Sequence, residues 1–120
     1  MRDLFTKEYV IDGIDIDGKR FDRVSRLEAS SSDGNCMIDF NDEIFPLEAK
    51  ERIRVTIMEG VYADDAFGPY DYVMSGTFYK CGQEKDKLQS YISCGGLLCC
   101  IEEQLNTEVG KEIFLCVQKL

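Results

Sequence analysis

The sequence predicts an all-β domain, a sandwich or small antiparallel barrel, from three observations. Arg52 to Met58 alternates strictly, with Ile53, Val55 and Ile57 on one face and Arg52, Arg54 and Thr56 on the other. Tyr70 to Lys80 is dense in Tyr, Val, Thr and Phe, residues that pack well on a pleated sheet. Turn signals recur between many short segments of this kind. With 120 residues and 44% hydrophobic composition the chain supports one core, so a single domain over residues 1–120 is expected. No linker, low-complexity tract or stacking repeat divides it.

The elements follow in order. Tyr9 to Ile16 reads as a strand ending at Asp17-Gly18, a dipeptide that closes hairpins. Phe21 to Ala29 is ambiguous: Phe21, Val24 and Leu27 recur at helical spacing, which by itself favours a short helix, while Asp22 and Val24 also fit one face of a strand. Met37 to Phe40 and Ile44 to Leu47 are short apolar pieces around Asn41-Asp42, with Pro46 confining the second to an edge or bulge. After the strand at Arg52 to Met58, Asp64, Asp65, Gly68 and Pro69 break the chain before the strand at Tyr70 to Lys80. Lys85, Asp86 and Lys87 make a second break. Leu88 to Ile101 has apolar residues at both parities around Gly95-Gly96, which suggests one bent strand buried on both sides. Ile101 and Leu105 suggest at most one short helical turn over Glu102 to Thr107, and Glu112 to Gln118 alternates as a closing strand.

Composition narrows the chemistry. There are 23 Asp and Glu against 14 Lys and Arg, a net charge of -9, so phosphate binding driven by counterion release is disfavoured and a protein partner fits better. The absence of His removes the side chain best suited to proton transfer near neutral pH and the commonest nitrogen ligand of metals. Met1 to Val10 mixes charged with apolar residues, unlike a signal peptide, so an intracellular chain is expected. The most apolar stretch, Leu97 to Ile101, is far shorter than a membrane span.

No catalytic or metal motif survives inspection. The six cysteines, Cys36, Cys81, Cys94, Cys99, Cys100 and Cys116, contain no C-x-x-C pair, and most lie among Leu, Ile, Phe and Val as small hydrophobes. Asp12, Asp15, Asp17 and Gly18 hint at a calcium loop, but that register places Gly13 and Val24 at the ends, where carboxylates are required. Gly95-Gly96 lacks either phosphate-cradle pattern and reads as a bulge. No S-x-x-K pattern activates a serine, and Asp64-Asp65 reads as a solvated turn. No cofactor is expected. Lys19, Arg20, Arg23 and Arg26 against Asp22 form a basic island, read as a solvated strand edge, a contact for an acidic partner or a small nucleic-acid-facing patch.

Four blocks carry a resemblance. Gly18-Lys-Arg-Phe-Asp-Arg-Val-Ser-Arg-Leu27, Tyr72-Val-Met-Ser-Gly76 with Phe78-Tyr79, Leu88 with Tyr91-Ile-Ser-Cys-Gly-Gly-Leu-Leu98, and Phe114-Leu115 with Lys119-Leu120 closely resemble the small β-barrel subunit shared by nuclear RNA polymerases I, II and III. The resemblance runs nearly end to end and is weakest from Glu28 to Glu51. It implies a small antiparallel barrel related to the OB-fold, with Phe21 to Glu28 as a strand. It also implies a non-catalytic common subunit in the nucleus, nucleolus included, that packs on the largest polymerase subunit without a cofactor, membrane or direct nucleic-acid contact. The loop between Tyr62 and Tyr70 is shorter than the acidic insertion usual in the family, and the cysteines are not part of its pattern.

Candidate interface residues are Arg23 and Arg26 from the basic island, with Tyr91, Gly95 and Gly96 from the third block. The glycines are expected either to adopt a backbone closed to other residues or to admit another chain. The alternative function is an independent OB-type binder of single-stranded nucleic acid, which needs a basic groove with exposed rings; of Tyr70, Tyr72, Tyr79 and Tyr91, only Lys80 lies near any in sequence. A lipocalin-type ligand barrel would need an emptier interior than bulky Phe, Ile, Leu and Tyr leave.

Overall fold

A computed structural model describes residues 1–19, 21–61, 65 and 67–120. Its eight strands are β1 (Arg2–Ile14), β2 (Val24–Ser31), β3 (Gly34–Asn41), β4 (Arg52–Glu59), β5 (Tyr72–Glu84), β6 (Lys87–Cys94), β7 (Leu97–Ile101) and β8 (Glu112–Lys119). They close into a barrel in the order β1-β2-β3-β7-β6-β5-β8-β4, with every neighbouring pair antiparallel. The small antiparallel barrel predicted from the sequence is therefore the fold, and none of the described residues is helical.

The strand period of two fills the interior. Tyr9 and Ile11, Leu27 and Ala29, Ile38 and Phe40, Ile53, Val55 and Ile57, Phe78, Ile92, Cys99 and Ile101, and Ile113, Leu115 and Val117 are all buried inside. Each large aliphatic or aromatic side chain so placed contributes roughly 1.5–3 kcal/mol of transfer free energy. Among the described residues the interior is thus a packed core and not the open chamber of a lipocalin.

The strand order contains a second regularity. Cut between β4 and β5, the chain gives two halves of like order, β3-β2-β1-β4 and β7-β6-β5-β8. Each opens with a strand of 13 residues, and each long strand carries a shift of register opposite the strand that follows, between Ile11 and Gly13 and between Phe78 and Lys80. The halves meet like against like, β3 on β7 and β4 on β8.

In this order the third and fourth strands of each half are not neighbours, so their connection must cross a mouth of the barrel. Phe45 and Leu47 lie on the first crossing and are buried, with the Phe45 ring stacked on Tyr72 at 5.1 Å. Leu105, on the second crossing, is 2% exposed. These crossings overturn two expectations: Ile44 to Leu47 is no strand and Glu102 to Thr107 no helical turn, because their apolar residues serve as plugs and not as faces of regular elements. Lys7 joins the second plug, with its ammonium 3.0 Å from Asp33 and 3.2 Å from Glu103.

Other boundaries also move. β1 begins at Arg2, ahead of Tyr9, because its first half pairs with β4 alone, and it ends at Ile14. Gly18 N–H donates to Asp15 O at 2.9 Å, but that turn is only part of a connection reaching Arg23, whose φ is 64°. β2 therefore starts at Val24 and not at Phe21, and it is no helix: Ser25, Leu27 and Ala29 point inward at strand spacing, while Phe21 stays 66% exposed.

Leu88 to Ile101 is two strands and not one bent strand. Cys94 pairs with Leu97, and Gly95 and Gly96, with φ of 60° and 91°, close a two-residue hairpin of the I′ kind. Apolar residues at both parities reflect the chain reversing its direction. Lys85 and Asp86 close the β5–β6 hairpin likewise, with φ of 51° and 65°. Arg20, Tyr62, Ala63, Asp64 and Ala66 lie outside the described residues, and with them parts of the basic island, the Asp64-Asp65 turn and the Tyr62–Tyr70 loop.

A candidate partner-binding face

The two seams between the halves differ on their outer sides. Over the β4–β8 seam, Thr56, Met58 and Cys116 are buried although they point outward. The segment before β5 lies against them: Tyr70 Oη donates to Thr56 Oγ1 at 3.0 Å, and the Phe67 and Phe114 rings are 5.1 Å apart. Over the β3–β7 seam the outward row is Glu28, Met37, Cys100, Tyr91 and Lys80, aligned by register across β2, β3, β7, β6 and β5. Glu28 and Lys80 are exposed, and the others half-buried.

The neighbouring row holds a polar hub. Arg26 reaches the Asp39 carboxylate through Nε at 2.7 Å and Nη2 at 3.2 Å, and Asp39 Oδ2 also accepts the Leu98 N–H at 3.0 Å. The β3–β7 ladder stops at Ile38 and Cys99. The Asp39 side chain thus extends the seam by one bond, which explains why a carboxylate only 7% exposed is tolerated between Ile38 and Phe40. In the sequence Met37 to Phe40 reads only as a short apolar piece, and no signal there marks Asp39 as a hub.

A second cluster fixes the β1–β2 connection. The Ser25 hydroxyl lies 2.8 Å from Asp15 Oδ2 and 2.6 Å from Asp42 Oδ2, and Asp15 Oδ1 accepts the Arg26 N–H at 2.9 Å. Lys19 bonds Asp42 and donates to Val24 O at 3.1 Å. The hydrogen bond from Lys19 holds the Asp42 carboxyl below its ordinary value. Arg23 pairs with Glu43 at 3.0 Å, with both side chains exposed.

The predicted site residues can now be placed. Arg26, Tyr91 and the Gly95-Gly96 corner share the face over the β3–β7 seam, whereas Arg23 stands aside on the connection. The described cations of the basic island, Lys19, Arg23 and Arg26, each pair with an acid of the same chain. A Cβ on Gly95 or Gly96 meets nothing within 4 Å, so positive φ and not a close approach inside the chain accounts for both glycines.

Tyr79 and Tyr91 are 6.2 Å apart, with Lys80 Nζ 5.1 Å from the Tyr91 ring. This grouping is smaller than the aromatic platform and basic groove that single-stranded nucleic acid requires. All six cysteines are free thiols, and burial raises those of Cys94 and Cys116 to about 11 and about 12. Among the described residues no three of Cys, Asp and Glu converge to hold a metal ion.

Comparison with known proteins places this geometry in context. A family model described as RNA polymerase Rpb8 matches residues 6–119. The chain is similar to a Caenorhabditis elegans protein named "Probable DNA-directed RNA polymerases I, II, and III subunit RPABC3", at 33% identity over 97% of this chain and 95% of that one. It is 29% identical to the Arabidopsis thaliana "DNA-directed RNA polymerases II, IV and V subunit 8B", over 98% of this chain and 96% of that one. Its identity to the Saccharomyces cerevisiae "DNA-directed RNA polymerases I, II, and III subunit RPABC3" is 30%, over 88% and 91%.

Proposed function

The chain belongs to the RNA polymerase Rpb8 family and is a common subunit of DNA-directed RNA polymerases I, II and III, and we propose that it contributes to their assembly and stability without taking part in catalysis. As a subunit of these enzymes it works in the nucleus; as part of polymerase I it enters the nucleolus too. Its direct partner is the largest subunit, met through the face that bears Arg26, Tyr91, Gly95 and Gly96, with Arg23 at its margin.

The observation that carries the non-catalytic reading is the Arg26–Asp39 pair with its neighbours. Arg26 and Asp39 bond to each other and, through Leu98 N–H, hold strands together, so this pair serves the fold and not proton transfer to a substrate.

Purification of the tagged chain from cells tests the reading. Recovery of the large polymerase subunits is the expected result, and recovery of RNA alone overturns it. The isolated chain is expected to bind single-stranded RNA no better than about 10⁻⁴ M at physiological salt, since its net charge opposes counterion-driven association. Micromolar affinity in a titration of labelled RNA would favour the nucleic-acid reading instead.

A further inference from the structure

A groove of about 310 Å³ runs along the outer face over β2, β3 and β7. Through Ile16, Glu28 and Met37 it is continuous with a hollow of about 100 Å³ that reaches Phe21 and Val24. Its floor is apolar. Met37 and Cys100 are register partners, and Ile16 folds back over Gly13 so closely that a Cβ there would lie 2.8 Å from the Ile16 side chain. Ile16 at 61% and Phe21 at 66% exposure form walls that the chain itself leaves uncovered.

The rim of the groove has the opposite sign to the basic island beside it. Asp12, Asp17, Glu28 and Glu102 line it, and Arg26, bound to Asp39, is the only cation among the described lining residues. Among the described residues Glu102 pairs with Lys87 at 3.6 Å, while Asp12, Asp17 and Glu28 make no ion pair. An apolar floor under carboxylates of which three have no ion pair among the described residues suits a cationic side chain with an aliphatic stem, or an aliphatic residue flanked by cations.

We propose that this groove docks a basic, aliphatic-rich segment of another polypeptide within the polymerase. The proposal rests on the subunit reading for where that segment is found. Charge chooses among occupants: a second copy of this chain would bring another net charge of -9, and RNA its phosphates, both repelled by the rim. A basic polypeptide gains from the same field.

Two experiments on the full chain test the proposal. In the first, benzoylphenylalanine replaces Glu28, the polymerase is purified through the tagged chain, and crosslinked peptides are sequenced. The expected product joins residue 28 to a segment with an excess of Lys and Arg. A crosslink to an acidic segment, to a second copy of the chain or to RNA overturns the proposal, as does polymerase recovered without any crosslink at this position. In the second, Asp12→Lys with Glu28→Lys is expected to lower recovery of the large subunits about tenfold, the scale of one lost charge contact, while Glu28→Gln falls between. Melting of the variants is followed in parallel, and wild-type recovery with either well-folded variant defeats the groove while leaving the subunit reading intact. If the wild-type chain recovers no polymerase, the subunit reading fails instead.

Discussion

At the scale of single residues the structure gives Gly76 a steric role. Gly76 has ordinary φ, yet a Cβ there would lie 2.5 Å from both Ser93 O and Cys94 Sγ, where β5 and β6 approach. Gly76→Ala is therefore expected to destabilise the domain by about 2 kcal/mol or more through overpacking, measured by urea unfolding. Arg26→Ala tests the hub. It strands the Asp39 carboxylate in a largely buried site and is expected to cost about 2 kcal/mol, while Arg23→Ala, which breaks an exposed pair, changes stability by less than about 0.5 kcal/mol. Equal effects of the two arginine variants would refute the distinction. The sequence displayed both arginines as members of one basic island, because spacing reports which charges are near each other along the chain and not which acids fold against them.

At the scale of elements the hairpins make the clearest test. Gly95-Gly96 and Lys85-Asp86 close turns with positive φ at both positions, but only the first uses residues at ease there. Gly96→Ala is expected to lower stability by about 1 kcal/mol, and Gly95→Asn to be nearly neutral, since asparagine tolerates this conformation. Conversely, Lys85→Asn with Asp86→Gly should raise the melting temperature. If both pairs of variants move melting in the same direction, the turn assignment is wrong.

Elements with strict alternation, β4 and β8, were legible almost to the residue, since a period of two buries one face whatever its neighbours. The mouth-crossing plugs were not. Phe45, Leu47 and Leu105 are apolar because they end a barrel, a demand set by strand order and not by local periodicity. The outer groove escaped for the same reason, as Ile16, Glu28 and Cys100 meet only when β2, β3 and β7 are aligned.

At the scale of the whole molecule, ionisation predicts how stability depends on pH. Asp33, Asp42 and Glu51 are held below their ordinary values by hydrogen bonds from Lys7, Lys19 and Lys119, and Glu59 by one from Thr107. Their contribution is present above the ordinary carboxylate range and is lost as pH falls below it toward the lower folded values. Burial acts oppositely on the thiols. Cys94 and Cys116, raised from 9.0 to about 11 and about 12, contribute fully below pH 9 and lose that contribution as pH rises toward the folded values. Urea melts across pH should therefore give a plateau between about pH 5 and pH 9, with the steeper fall on the alkaline side because the carboxylates lie near the surface. Cysteine-to-alanine replacement at 94 and 116 should flatten that alkaline limb. An unchanged limb would place its origin elsewhere.

The meeting of β3 with β7 and of β4 with β8 carries a historical consequence. A polypeptide of half this length, folded in the order 3-2-1-4, would present two free edges, each of which finds its complement on an identical molecule turned about a two-fold axis. Two such molecules close the same ring. Duplication and fusion of one ancestral gene would thus produce this barrel in a single step, and covalent linkage would then free the two copies to diverge. On that account each seam began as a junction of like strands lying across the two-fold axis of a symmetric dimer, and the two sides of each seam diverged only after the fusion.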